Sequence, residues 1–117
     1  MTEIVFAIPV MHGKEHVDRE TRAEMAGPRR AEYEAALKEA GITRQVVWHQ
    51  ETPGGGTLAI VYVEGSDPEA HQRFVTSDSD ISRWFVEQMQ DVHGRDVSEP
   101  PLPVEKILDF RVDSESG

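Results

Sequence analysis

Two β-branched runs joined by a glycine-rich link constrain this chain more than any other feature. Residues 44–51 (RQVVWHQE) and 57–64 (TLAIVYVE) flank Thr52-Pro53-Gly54-Gly55-Gly56. Valine, isoleucine and aromatic side chains suit a pleated, half-buried surface, and five turn-forming residues between two such runs predict an antiparallel hairpin. Pairing Glu51 with Thr57 places Val46, Trp48, Gln50, Leu58, Ile60 and Tyr62 on one face. Val47, His49, Ala59, Val61 and Val63 fall on the other, because side chains alternate along a strand. The smaller β-branched set suits packing under helices, which leaves Trp48, Ile60 and Tyr62 on an open face.

The rest of the chain supplies partners for this hairpin. Residues 4–11 (IVFAIPVM) form an apolar run of strand length, and Pro9 within it suits a strand end or an edge position. From Lys14 to Ala40 the composition is helical, with Gly27-Pro28 dividing the stretch and Gly41 placed to stop the second segment. Pro68 opens another helical region, and the polar Ser77-Asp78-Ser79-Asp80 breaks or re-caps it. Ile81, Trp84, Phe85, Met89 and Val92 then follow helical spacing toward His93-Gly94. A loop with Pro100, Pro101 and Pro103 leads to a last expected strand over residues 104–112. The order strand, helix, strand, strand, helix, strand predicts an α+β domain of ferredoxin-like βαββαβ type over residues 1–112. It would have a four-stranded antiparallel sheet with helices on one face. Residues 113–117 are expected to be a disordered acidic tail.

Composition narrows the function. The 117 residues carry 12 Lys and Arg against 22 Asp and Glu, a formal charge of −10, which repels phosphate backbones and anionic lipid. Nucleic-acid and membrane partners are therefore not expected. Cysteine is absent, which removes disulfides, thiolate metal sites and a cysteine nucleophile. No apolar run is long enough to span a bilayer, so a soluble cytoplasmic protein is expected. The glycine-rich link lacks the Lys and Ser/Thr of a phosphate loop, and neither a His-Glu-x-x-His nor a Gly-x-Ser-x-Gly pattern is present.

A sheet covered by helices on one side leaves Trp48, Ile60 and Tyr62 as an apolar patch larger than soluble monomers usually expose, so a homodimer is the expected assembly. In strand order and length the chain resembles the dimeric α+β barrel superfamily. Arg83-Trp84-Phe85 and His93-Gly94-Arg95-Asp96 resemble segments of a family of small bacterial proteins of unknown function. The barrel resemblance implies two sheets face to face. Its members include cofactor-free monooxygenases, polyketide cyclases, muconolactone isomerases and haem-handling enzymes, with ligands held between sheet and helices or inside the barrel.

Five histidines carry the candidate chemistry. The predicted topology gathers His12, His16, His49 and His93 toward the hairpin end of the sheet and leaves His71 at the other. His49 and His93, which can move protons near neutral pH, are the candidate catalytic residues, with Tyr62 positioning a phenol or carbonyl. Trp48, Ile60, Trp84 and Phe85 are the candidate walls of a ligand pocket. His12 and His16, four residues apart, with Asp96 form a candidate metal set, although Gly13 between them weakens a shared helix face. No cofactor is required by this reading; a divalent metal is the one these residues could hold. The expected function is a small-molecule enzyme of monooxygenase, cyclase or isomerase type acting on an apolar aromatic or polyketide-like compound. The alternative is a non-catalytic homodimer that binds a ligand or metal.

Overall fold

A computed structural model describes residues 1–112 and divides them into three strands and four helices: β1 (Thr2–Val10), α1 (Glu15–Ala26), α2 (Arg30–Ala40), β2 (Ile42–Glu51), β3 (Thr57–Gly65), α3 (Ala70–Thr76) and α4 (Asp80–His93). The acidic tail, residues 113–117, lies outside the described residues. The fold is a small α+β one, with β3 at the centre of an antiparallel sheet of order β1-β3-β2. Glu51 pairs with Thr57 and Trp48 with Ile60, so the hairpin register is the one read from sequence. β3 alternates accordingly: Thr57, Ala59, Val61 and Val63 are buried, while Leu58, Ile60 and Tyr62 stay partly exposed.

Each helix end has a local cause. The expected break at Gly27-Pro28 separates α1 from α2, and the polar run before Asp80 separates α3 from α4, where the Ser79 hydroxyl accepts from the Ser82 N–H as an N-cap. Gly41 ends α2 in the left-handed region at φ 84°, its N–H reaching the carbonyls of Leu37 and Lys38. The core lies between the helices and one sheet face. Phe6, Val10, Ala59, Val61 and Val63 from the strands meet Met25, Phe74, Phe85, Met89 and Val92 from the helices. Phe74 is fully buried, its ring 5.2 Å from Phe85 and 6.1 Å from Tyr33.

The expected fourth strand is the main departure. Residues 104–112 have no strand pairing, so the sheet of the described residues has three strands and not four. Part of the reason lies at the end of β1. The Pro9 carbonyl accepts from His93, and the Met11 N–H donates to the Val92 carbonyl at 2.8 Å, so the foot of α4 occupies the outer edge there. Proline also has no N–H to offer a new neighbour. Since peptide groups alternate sides along a strand, those of Glu3, Val5 and Ala7 point outward as Pro9 does. Among the described residues none of the three has a backbone partner on that side.

Candidate functional site

The residues with most chemical potential converge where α1 crosses β2. Asp18, Thr21 and Met25 form the buried stripe of α1, with Arg22 in the same row at helical spacing. Asp18 is completely buried, and it has two cationic or ionisable neighbours. Its Oδ1 accepts from Arg22 Nε at 3.1 Å, and its Oδ2 lies 2.6 Å from His49 Nε2. A buried carboxylate acting as acceptor fixes the proton of His49 on Nε2, which leaves Nδ1 with a free lone pair.

Two more imidazoles border the same region. His93 Nδ1 is 2.9 Å from the Pro9 carbonyl; a carbonyl can only accept, so Nδ1–H donates and Nε2 carries the lone pair. Burial holds the His93 pKa below the ordinary histidine value, against the opposing pull of the Pro9 hydrogen bond and of Asp18. His71 packs on Phe6 with ring centroids 5.0 Å apart, and its Nδ1 is buried without a hydrogen-bond partner. Burial first, and the charge of Arg22 second, push its pKa down to about 4, so the ring is neutral at pH 7.

Two cavities meet at this cluster. A groove of about 610 Å³ is lined by Asp18, Arg22, Met25, Tyr33, Gln45 and His49. A narrower cavity of about 220 Å³ is lined by Phe6, Arg22, Gln45, His71, Phe85, Met89 and His93 and is bordered by Pro100, Pro101 and Leu102. Arg22 and Gln45 line both. The Tyr33 hydroxyl donates to Gln45 Oε1. Arg22 has few strong partners beyond Asp18: its Nη2 faces the thioether of Met89 at 3.4 Å, and its guanidinium lies 5.3 Å from the Phe85 ring centre. A guanidinium has five N–H donors, and a thioether is a weak acceptor. Donors therefore remain for a bound molecule.

The structure brings His49, His93, Phe85 and Asp96 to these cavities and places the other candidates elsewhere. Tyr62, Trp48 and Ile60 sit on the opposite face of the sheet. The Tyr62 hydroxyl donates to Glu64 at 2.7 Å with Glu3 at 3.0 Å, and the hydrogen bond to Glu64 raises the phenol above its ordinary value. Trp84 is half-buried beneath Arg29, 4.4 Å from the guanidinium carbon to the ring centre. His12 and His16 are exposed. Asp96 borders the narrower cavity, but its carboxylate accepts from Ser98 and Gln90, and the Ser98 hydrogen bonds lower its pKa. Among the described residues no three His, Cys, Asp or Glu side chains stand together as a metal-holding group. His71, expected at the far end of the sheet, instead shares a cavity with His93.

Sequence reasoning missed Asp18, Arg22 and His71 as a group. The pair Asp18–Arg22 has the spacing of an exposed helix ion pair, yet Asp18 also stands three and seven residues before Thr21 and Met25. A carboxylate inside the buried stripe of a helix was the available signal. No family model matches the chain, and no curated protein matches it. Among the described residues no helix is long and apolar enough to cross a membrane.

Proposed function

We propose that the chain is a small-molecule enzyme of isomerase or cyclase type that moves a proton on an apolar aromatic or polyketide-like compound. The observation that carries this reading is the 2.6 Å contact between His49 and the fully buried Asp18 at the wall of a cleft. A carboxylate that orients an imidazole is the arrangement a general base needs. In the proposed step the His49 Nδ1 lone pair takes a proton from a carbon next to a carbonyl. The C–H electron pair moves into an enolate, whose oxygen is met by spare N–H donors of Arg22. The protonated His49 then returns the proton to another carbon, and atoms and charge balance without a further reactant. Phe6, Phe85 and Met89 supply the apolar walls.

The experiment is deuterium exchange in heavy water, followed by NMR, on a panel of aryl β-dicarbonyl compounds. The native chain should exchange the activated C–H faster than buffer does. His49→Ala should reduce the protein's contribution by about 10²–10⁴-fold, the usual worth of general-base catalysis. Exchange that survives His49→Ala in a variant with an unchanged melting curve would sink the reading.

We further read the working unit as a homodimer. Trp48 is 52% exposed and Val5 is 41% exposed on the face away from the helices, where Ile60 and Tyr62 are also partly exposed. Contiguous apolar surface of this kind is uncommon on a monomer. The sedimentation mass of the native chain tests it against 13.1 kDa for one copy.

A further inference from the structure

The two cavities that meet at Arg22 and Gln45 differ in charge on either side of that junction. The wider groove is also lined by Arg19, three residues before Arg22 on α1. Glu15, the carboxylate at the right helical spacing to pair with Arg19, is turned to the Thr57 hydroxyl at 3.0 Å instead. Among the described residues Arg19 has no ion-pair or hydrogen-bond partner of its own. The groove therefore sets two guanidinium groups against one carboxylate, Asp18, which is already engaged by Arg22 and His49. In the narrower cavity, Arg95 stands against both Asp96 and Glu99. In a chain of formal charge −10 the groove is thus a locally cationic place.

Beyond Arg22 the lining turns apolar, with Phe6, Ile8, Val61, Phe85 and Met89 as walls. The volume there, about 220 Å³, exceeds the roughly 150 Å³ of an apolar cavity that takes up benzene. One aromatic ring with a short substituent fits it. Asp18 orders the groups at the junction, because it holds Arg22 on Oδ1 and His49 on Oδ2. A carbonyl oxygen resting on Arg22 therefore has a neighbouring carbon toward His49, on the groove side.

We propose that the site takes an aryl oxo acid and that Arg19 selects it by its carboxylate. The ring fills the narrower cavity, the carbonyl meets Arg22, and the carboxylate meets Arg19 in the groove. The inference rests on the proton-transfer reading above and names the charged part of its substrate. Residues three apart on a helix have Cβ atoms about 5–6 Å apart, so Arg19 and Arg22 can each take one oxygen function of the same small molecule. A guanidinium holds a carboxylate by charge-assisted hydrogen bonds, about twice as strong as neutral ones. The reverse orientation would set the carboxylate against Asp96 and Glu99, and like charges placed together are costly. Charge at the two ends therefore fixes which way round the molecule lies.

The test is binding without turnover: hydrocinnamate and its neutral amide are titrated into the full-length chain and followed by calorimetry and by methionine-methyl NMR. The acid should bind roughly tenfold more tightly than the amide, the worth of one charge-assisted contact. Arg19→Gln, at an exposed position, should remove about that tenfold from the acid and leave the amide unchanged. The bound ring should shift the Met89 methyl, whose signal Met89→Leu identifies, and leave the exposed Met1 in place. Equal binding of acid and amide by the native chain overturns the proposal, and that comparison needs no variant. It is also overturned if the acid does not bind, if Arg19→Gln weakens both ligands alike, or if Met89 does not move. Neither probe reacts, so the outcome is separate from exchange in heavy water. Selective binding of the acid without His49-dependent exchange would overturn the proton-transfer reading and leave an aryl carboxylate site. Exchange of neutral aryl dicarbonyls without preference for the acid would do the reverse.

Discussion

Trp48 and His49 are neighbours in β2, yet they experience opposite chemistry because a strand turns successive side chains to opposite faces. On the helix side His49 contacts a carboxylate without solvent access, His71 is driven to its neutral form, and Arg22 keeps donors facing a cavity. On the open side Tyr62, Glu3, Glu64 and Arg44 form a polar rim around Trp48 and Ile60 in contact with water. The two faces have ionisable groups in similar supply. They differ in how much solvent competes for them, which determines whether a neighbour merely adjusts a charge or fixes a protonation state. This contrast is the reason the proposed chemistry lies on the covered face and the proposed assembly on the open one.

The contrast breaks first if buried contacts fail to outweigh exposed ones. Phe74→Ala should cost about 3–5 kcal/mol in denaturant unfolding, because the ring is fully enclosed between Tyr33 and Phe85. Asp18→Ala should cost about 3 kcal/mol by leaving Arg22 and His49 without their shared carboxylate. A loss within the range of surface substitutions would mean that the Asp18 cluster is solvated.

A pH titration of stability sharpens the same comparison. His71 has a folded pKa pushed down to about 4 against an ordinary value of 6.5, so the unfolded chain binds the proton first on acidification. Stability from this group is complete above pH 6.5, falls as the pH drops, and is fully lost once the pH passes below about 4. The loss is on the order of 3 kcal/mol at 1.36 kcal/mol per unit. His93, also shifted down, adds loss of the same sign. Chemical denaturation at several pH values should show this slope, and His71→Phe should flatten it.

How much of this was legible in the sequence depends on the range of the interactions involved. The hairpin register and its two faces follow from Val, Ile and aromatic alternation around a glycine-rich link, all within twenty-one residues, and the structure has that register. Gly41, Pro28 and Ser79 mark helix ends by local backbone chemistry in the same way. The long-range pieces were harder. Asp18 and His49 are thirty-one residues apart and meet only because α1 crosses β2. His71 joins His93 because α3 and α4 both pack over β1 and β3, an arrangement no spacing rule contains. Residues 104–112 have the alternation of a strand, but alternation names no partner; the foot of α4 at Pro9 and Met11 is what denies them the near end of β1.

The two tyrosines give the finest version of the comparison, one on each face. Both phenols are raised above the ordinary value of 10.0, for different reasons. For Tyr33 the cause is burial, partly offset by Arg22; for Tyr62 it is first the hydrogen bond to Glu64. An absorbance titration should therefore find less than half of the phenol ionised at pH 10, and Tyr33→Phe and Tyr62→Phe separate the two signals. Glu64→Gln should bring Tyr62 back toward its ordinary value and leave Tyr33 unmoved. Added salt should also act on Tyr62 alone, because mobile ions screen exposed carboxylates but do not reduce the desolvation of a buried ring. Tyr62→Phe itself should change unfolding stability by no more than about 0.5 kcal/mol, as expected for a hydroxyl that water can replace. If Tyr62 instead proved insensitive to both salt and Glu64→Gln, its hydroxyl would have to be shielded in solution. The open face would then be covered in solution, as it would be if a second copy of the proposed homodimer sat directly on Tyr62.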